Sequence, residues 1–305
     1  MKLLAGFTEK NLFLCSSSRR NSIMSYLRKP EWLKIKLERG ASFTDVSNIV
    51  KDHKLETICS SGKCPNMHEC WSCGTATFMV LGDTCTRSCK FCATKSGKPL
   101  PPDTDEPQRL AESIQLMKLR YAVITSVDRD DLSDGGAAHW AACIKEVKQT
   151  NPNIKVEVLI PDFDGHTSLI DVVLAAKPDV VAHNVETIAR LTPLARSRAR
   201  YQLSLDVLRY IASTGMATKT GIMVGLGETE AEVIETMQDA FDAGCSIFTI
   251  GQYLQPTQNH LPVVEYVHPD IFKRYEEEGK KIGLKQVVSG PLVRSSYHAA
   301  DFSNQ

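Results

Sequence analysis

Between Cys59 and Cys92 the chain reads CSSGKCPNMHECWSCGTATFMVLGDTCTRSCKFC, a stretch that holds seven of its ten cysteines. Thiols at this density are disulfides, zinc ligands or iron-sulfur ligands, and each option demands its own spacing and redox compartment. The N-terminus bears on the compartment. MKLLAGFTEKNLFLC opens like a secretory signal, but Glu9, Lys10 and Asn11 break the apolar segment, and no apolar stretch follows Arg19-Arg20. Residues 1–23 read either as an organellar leader or as an over-extended start ahead of Met24, and residues 1–29 are set apart from the fold. A chain that is not exported meets the reducing cytoplasm, with the mitochondrial matrix as the alternative if the leader is a transit peptide. Clustered cysteines there hold metal rather than form bridges. No run reaches the roughly 18 apolar residues of a membrane helix, and 36 basic against 36 acidic residues leave no global field for nucleic acid. Neither a membrane nor nucleic acid is expected as a partner.

At 305 residues, one large domain with extensions is expected. Residues 30–75 read as an N-terminal extension: an extended piece at WLKIKLERG, a short helix in FTDVSNIVKDHKLET capped by Thr44 or Asp45, then a loop bearing Cys59, Cys64 and Cys70. From Ala76, apolar β-rich runs alternate with helical patterns six times, the signature of βα units on a parallel sheet. Strands are expected at 77–81, 122–125, 155–160, 180–183, 219–224 and 247–251, with helices near 108–119, 136–149, 167–176, 201–213, 229–242 and 270–282. The fold class is α/β, a partial (β/α)6 TIM-like barrel over 76–284 with a C-terminal extension at 285–305. Ligands in such folds sit at the carboxyl ends of the strands, where the loop 85–92 leaves the first one.

In that loop Cys85, Cys89 and Cys92 supply three thiolates, one short of the four that close an ordinary four-iron cluster. An iron without a protein ligand can take a substrate or cofactor, as open catalytic metal sites do. The alternatives are a zinc knuckle or chance clustering. The spacing, with Phe91 before the last cysteine, resembles the radical S-adenosylmethionine superfamily. That resemblance implies that the open iron chelates the methionine end of S-adenosylmethionine, whose reductive cleavage gives a 5'-deoxyadenosyl radical. Cys59, Cys64 and Cys70 supply three more thiolates and imply a second open cluster.

The two motifs are accompanied by ITSVDRDDLSDGGAAHW at 124–140, HNVET at 183–187, GIMVGLGET at 221–229, YLQPTQNHLPV at 253–263 and GPLVRSSYHA at 290–299. Together they are similar to the lipoyl synthase family, from Pro30 to Phe302. The resemblance implies two 4Fe-4S clusters and insertion of sulfur at C6 and C8 of a protein-bound octanoyl-lysine, with the auxiliary cluster as sacrificial sulfur donor. Both carbons are saturated, so a cofactor-derived radical must carry the hard step. It implies as partners octanoylated lipoyl carrier proteins, namely the lipoyl domains of 2-oxoacid dehydrogenases and the glycine cleavage H protein. An electron donor such as ferredoxin or flavodoxin and cluster-assembly proteins complete the set.

By the same resemblance Ser296 is the fourth ligand of the auxiliary cluster, and its oxygen is a harder, weaker partner for iron than a thiolate. Cofactor contacts are implied for Phe91, for Thr125 and Ser126 after the second strand, and for Asn184 and Glu186 after the fourth. Gly221 and Gly225, in a loosely matched GxIxGxxE, and Gln252 after the sixth strand join them. Each of these strand-end residues also reads as ordinary strand termination. Cys73 is a redox thiol, a spare ligand or a small buried residue. Cys15, Cys143 and Cys245 are isolated, the last two assigned to packing. ARLTPLARSRAR, residues 189–200, carries Arg190, Arg196, Arg198 and Arg200 without an acid, and reads either as a solvated face or as a docking patch for an acidic carrier. The eight histidines show no metal spacing and are left structural.

Overall fold

A computed structural model describes residues 27–34, 41–72 and 76–296. Cys15, Cys73 and nearly all of the leader lie outside the described residues. Among those described, the strands are β1 (Glu56–Thr57), β2 (Thr77–Val80), β3 (Thr84–Cys85), β4 (Lys95–Ser96), β5 (Tyr121–Ser126), β6 (Lys155–Leu159), β7 (Val180–Ala182), β8 (Ala217–Val224), β9 (Ile247–Gln252) and β10 (Gln286–Gly290). The helices are α1 (Ala41–Asp52), α2 (Ile58–Ser61), α3 (Met67–Ser72), α4 (Glu106–Leu116), α5 (Ala137–Thr150), α6 (Thr167–Leu174), α7 (Thr192–Ala195), α8 (Tyr201–Ser213), α9 (Glu230–Asp242) and α10 (Pro269–Ile282). None is long and apolar enough to cross a membrane.

Eight strands form one sheet in the order β1-β2-β5-β6-β7-β8-β9-β10. Every pairing in it is parallel except that of β1, which runs antiparallel along the edge of β2. The six expected βα units are present, each strand from β2 to β9 in this sheet followed by its helix. A seventh parallel strand, β10, pairs with β9 from Gln286 opposite Ile247 to Gly290 opposite Gly251. Its sequence, QVVSG, has too few apolar residues to stand out from a loop.

Side chains alternate across the sheet as the pleat requires. Ala122 and Ile124 join the helix-covered core, whereas Tyr121 and Val123 form a small cluster of their own on the inner face. That inner face also buries an ion pair. Lys219 Nζ donates to Glu157 Oε1 at 2.7 Å, Tyr121 Oη donates to Glu157 Oε2 at 2.6 Å, and both charged residues are 1% exposed. Curvature brings the two ends of the sheet together. Thr77 on β2 donates to Ser296 Oγ, beyond β10, at 2.7 Å.

The N-terminal extension departs from expectation in three places. Glu31–Leu33, at the start of the piece expected to be extended, is a 3-10 turn, while residues 35–40 of that piece lie outside the described residues; α1 starts no later than Ala41, so Thr44 and Asp45 lie inside it rather than at its cap. The three-cysteine segment is not an irregular loop: Cys59 sits on α2, Cys70 on α3, and Cys64 between them. Thr57 starts α2 by accepting from the Ser60 amide at 3.3 Å. Phe43 of α1 stacks on His68 and tilts against Trp71, which packs α1 onto α3.

His183, just after β7, is wholly buried. Its Nδ1 faces the Ile160 carbonyl at 3.0 Å, which can only accept, so Nε2 accepts from Ser204 Oγ at 3.0 Å. Burial and the Arg196 charge lower its pKa from 6.5 to about 4. An unfolded histidine binds its proton near pH 6.5 while the folded one stays neutral, so stability is full above 6.5 and falls as the pH drops toward about 4. The expected loss is about 3 kcal/mol in all. Denaturant midpoints at neutral and mildly acid pH check it, and the dependence should shrink in His183→Gln.

Candidate active site

The first parallel strand must turn sharply to present its cysteines. Leu81 and Gly82 adopt positive φ of 69° and 92°. The Leu81 conformation is held from both sides: its amide donates to Glu106 Oε2 at 2.9 Å and its carbonyl accepts from Arg129 at 3.3 Å. Glu106 in turn meets His139 Nε2 at 2.6 Å. The loop that follows is closed by β3 pairing with β4, and by the Gly97 amide donating to the Cys85 carbonyl at 2.9 Å. Neighbouring segments fasten it: the Lys90 amide donates to the Ala195 carbonyl at 2.8 Å, and His260 Nε2 lies 2.9 Å from the Cys92 carbonyl.

Beneath this loop lies a cavity of about 350 Å³, a size typical of small-molecule sites. Cys85, Cys89, Cys92 and Phe91 line it from one side, Cys59, Cys64 and Ser296 from another, and Thr125, Ser126, Asn184, Glu186 and Gly221 from the strand ends. Cys70 and Gly225 are not among its lining residues. None of the six motif cysteines is in a disulfide. Burial, then Asp128, pushes the Cys85 thiol up to about 12, and burial also raises Cys59, Cys64 and Cys92. Such thiols release their protons when they bind metal. Soft sulfur donors in two triads, with open space between, suit iron-sulfur clusters that each keep one iron without a thiolate.

The strand ends carry their own signs of a missing partner. Ser126 Oγ and Asn184 Oδ1 are buried with no hydrogen-bond partner among the described residues. Buried polar atoms are seldom left so, and both belong to residues that line the cavity. Glu186 holds φ of 73°, accepts from Asn184 Nδ2 at 3.2 Å, and has its pKa raised by burial. A strained, half-buried carboxyl group at a strand end is the kind of feature that a functional site retains.

Two of the expected cofactor contacts have other work. The Gln252 amide donates to the carbonyls of Val224, Tyr253 and Glu265, and its oxygen accepts from the Val267 amide at 2.8 Å. Its side chain shapes the turn, and Gln252 also lines the cavity. Gly225, with φ of 102°, leaves room for that amide: a Cβ there would lie 2.1 Å from Gln252 Nε2. The arginine run is likewise not a free basic face. Arg196 points inward, donating to the carbonyls of Asn184 and Val185 at 3.2 Å and to Ser204 at 3.0 Å, and it lines the cavity. Arg190 pairs with Glu232 at 2.7 Å, and Arg198 reaches Asp164 at 3.2 Å, leaving Arg200 as the exposed member without such an ion pair among the described residues. Asp164 comes from the β6–α6 connection and Glu232 from the first turn of α9, which a local reading cannot see. Cys143 and Cys245 are buried packing residues, as expected.

The segment 291–296 crosses the cavity as a strap. Asn66 Nδ2 donates to the Leu292 carbonyl at 2.7 Å, Asn184 Nδ2 to Ser295 Oγ at 2.8 Å, and Thr77 to Ser296. Gly251 allows this approach, since a Cβ on it would lie 2.1 Å from the Val293 carbonyl oxygen. Because that obstacle is backbone, Gly251→Ala should lift the strap at a cost of about 1–3 kcal/mol. We expect iron bound by the Cys59 triad to become markedly more labile, with the Cys85 triad unaffected, as read by anaerobic iron counting after exposure to a chelator.

Residues 79–240 match the Radical SAM superfamily model. The chain is 59% identical over 276 residues to a lipoyl synthase of Phocaeicola vulgatus, covering 90% of this chain and 97% of that protein. The chain belongs to the lipoyl synthase family. A lipoyl synthase of Treponema denticola is 55% identical over 272 residues, covering 89% of this chain and 94% of that protein. Among solved structures, methylornithine synthase (PylB) shares the fold with a TM-score of 0.53 at 12% identity, covering 82% of each chain. Family membership makes this chain a radical S-adenosylmethionine sulfurtransferase, with 4Fe-4S clusters and S-adenosylmethionine as cofactors.

Proposed function

We propose that this chain inserts two sulfur atoms, at C6 and C8, into an octanoyl group carried on a lysine of a lipoyl carrier protein. The observation that carries the reading is that Cys85, Cys89 and Cys92, two members of the other triad, Cys59 and Cys64, and Ser296 face one cavity. In this reading Cys85, Cys89 and Cys92 hold the cluster that engages S-adenosylmethionine, and Cys59, Cys64, Cys70 and Ser296 hold the cluster that gives up sulfur. When bound, the first cluster and S-adenosylmethionine together supply the hydrogen-abstracting radical that saturated carbon requires.

The protein's own contribution is placement. Thr125, Ser126, Asn184 and Glu186 orient the polar part of the cofactor, and Phe91 borders it. Met79, Val123, Leu159 and Met223 offer apolar wall for the acyl chain. The Thr77 hydrogen bond to Ser296 and the Asn66 hydrogen bond to the Leu292 carbonyl hold the strap, which supports Ser296 as the fourth ligand of the Cys59 triad's cluster. An oxygen ligand there makes the auxiliary cluster easier to dismantle than four thiolates would.

The partners we infer are the lipoyl domains of 2-oxoacid dehydrogenases and the glycine cleavage H protein, with a ferredoxin or flavodoxin as reductant and cluster-assembly proteins as suppliers. We place the reaction in the cytoplasm. The test is anaerobic iron and sulfide counting followed by incubation with S-adenosylmethionine, reductant and an octanoylated carrier peptide. About eight irons per chain, 5'-deoxyadenosine and lipoyl peptide are expected. A chain that binds zinc, or only one cluster, or that forms no lipoyl peptide, refutes the reading.

A further inference from the structure

The loop 84–96 also contains a buried cation that neither triad accounts for. Arg87 lies between Cys85 and Cys89 and is 6% exposed. Its guanidinium is engaged on all sides. Nε and Nη2 donate to the two oxygens of Asp130, both at 2.9 Å. Nη1 and Nη2 donate to the two oxygens of Asp162 at 2.9 and 2.7 Å, and Nη1 lies 3.3 Å from Asp128. Asp128 and Asp130 follow β5, whereas Asp162 follows β6, so one side chain ties the cysteine loop to two separate strand ends. Asp128 also touches a ligand directly: its amide donates to Cys85 Sγ at 3.3 Å and its carboxylate lies 3.7 Å from the same sulfur.

We propose that Arg87, gripped by Asp128, Asp130 and Asp162, is a positioning residue that holds the Cys85, Cys89 and Cys92 loop in register and sets the charge beside its cluster. The proposal rests on the two-cluster reading above. Two consequences separate it from an ordinary buried ion pair, which by itself says little about stability. The grip is mechanical: a planar fork bonded twice in bidentate fashion fixes the loop in a way a point charge cannot. It is also electrostatic, because Arg87, joined by Arg198 at 3.6 Å from Asp130, offsets three carboxylates next to a centre whose reduction adds negative charge. Cluster potential responds to nearby charge and to hydrogen bonds on sulfur.

The experiment uses the full chain carrying Cys59→Ala, in which only the Cys85 triad's cluster remains, reconstituted anaerobically. Arg87→Gln, Arg87→Lys and Asp162→Asn are compared for iron loss to a chelator and for cluster reduction potential. Both Arg87→Gln and Asp162→Asn loosen the grip, so each should lose iron roughly tenfold faster. Their potentials should move in opposite directions: negative for Arg87→Gln, which removes a cation, and positive for Asp162→Asn, which removes an anion. Arg87→Lys keeps the charge but not the fork, so its potential should stay near the parent value while iron loss still accelerates. If Arg87→Gln does not fold, the other two variants carry the test. Unchanged iron retention, or potentials that shift in the same direction, overturns the proposal. A parent chain that never takes up iron refutes the two-cluster reading instead.

Discussion

Cys59→Ala is expected to keep about four irons per chain and to cleave S-adenosylmethionine still, yet to form no lipoyl product. Cys85→Ala should likewise keep about four irons, but release no 5'-deoxyadenosine and form no product. The two triads are held by different parts of the fold, so losing one need not empty the other. Cys59 rests on α2 against the core of the N-terminal extension, and Cys85 opens the loop closed by β3 and β4. Each substitution leaves a triad with two thiolates, too few to retain a four-iron cluster whose remaining iron is open in one case and held only by the weaker Ser296 oxygen in the other. Iron counting with separate assays for 5'-deoxyadenosine and lipoyl peptide distinguishes the pair. Identical losses in both variants would mean that the triads are not functionally separate.

The second large effect is on stability. Lys219→Met leaves Glu157 buried on the inner face without its cation, and breaking a buried pair in this way should lower stability by about 3–5 kcal/mol. Whole domains are held by only about 5–15 kcal/mol, so the denaturant midpoint should fall sharply. Pairing the change with Glu157→Gln removes the stranded charge while keeping an acceptor for Tyr121, and should recover most of the loss. The comparison matters because Glu157 also lines the cavity, so the pair fixes part of its wall. A wild-type midpoint for Lys219→Met would show that the ion pair contributes no stability.

The strands were legible wherever apolar runs of four to eight residues ended in turn residues, and the strand and helix boundaries expected for the six units lie within a few residues of those observed. Cluster chemistry was legible for the same local reason: three thiols within eight residues announce themselves. What escaped was of two kinds. Short elements set by a single cap or partner, such as α2 behind Thr57 or β10 beside β9, carry no periodic signal. Contacts made across the sheet have no local signal either: Arg87 meets Asp162 across 75 positions, and Thr77 meets Ser296 across 219. In sequence Arg196 belongs with its neighbours as a surface charge, yet its carbonyl partners lie in the turn after β7 and draw it inward. Gln252 shows the converse, a strand-end polar residue that serves its own backbone.

The central claim is that the Cys59 triad holds a sulfur reservoir and the Cys85 triad a reusable radical generator within one cavity. Its most direct test is to rebuild the auxiliary cluster with heavy-isotope sulfide, leave light sulfide in solution, and weigh the lipoyl peptide after a single anaerobic turnover. We expect both sulfur atoms in the product to be heavy, and no more than one lipoyl group per chain. Light sulfur in the product, or repeated turnover without renewed cluster, would contradict the assignment.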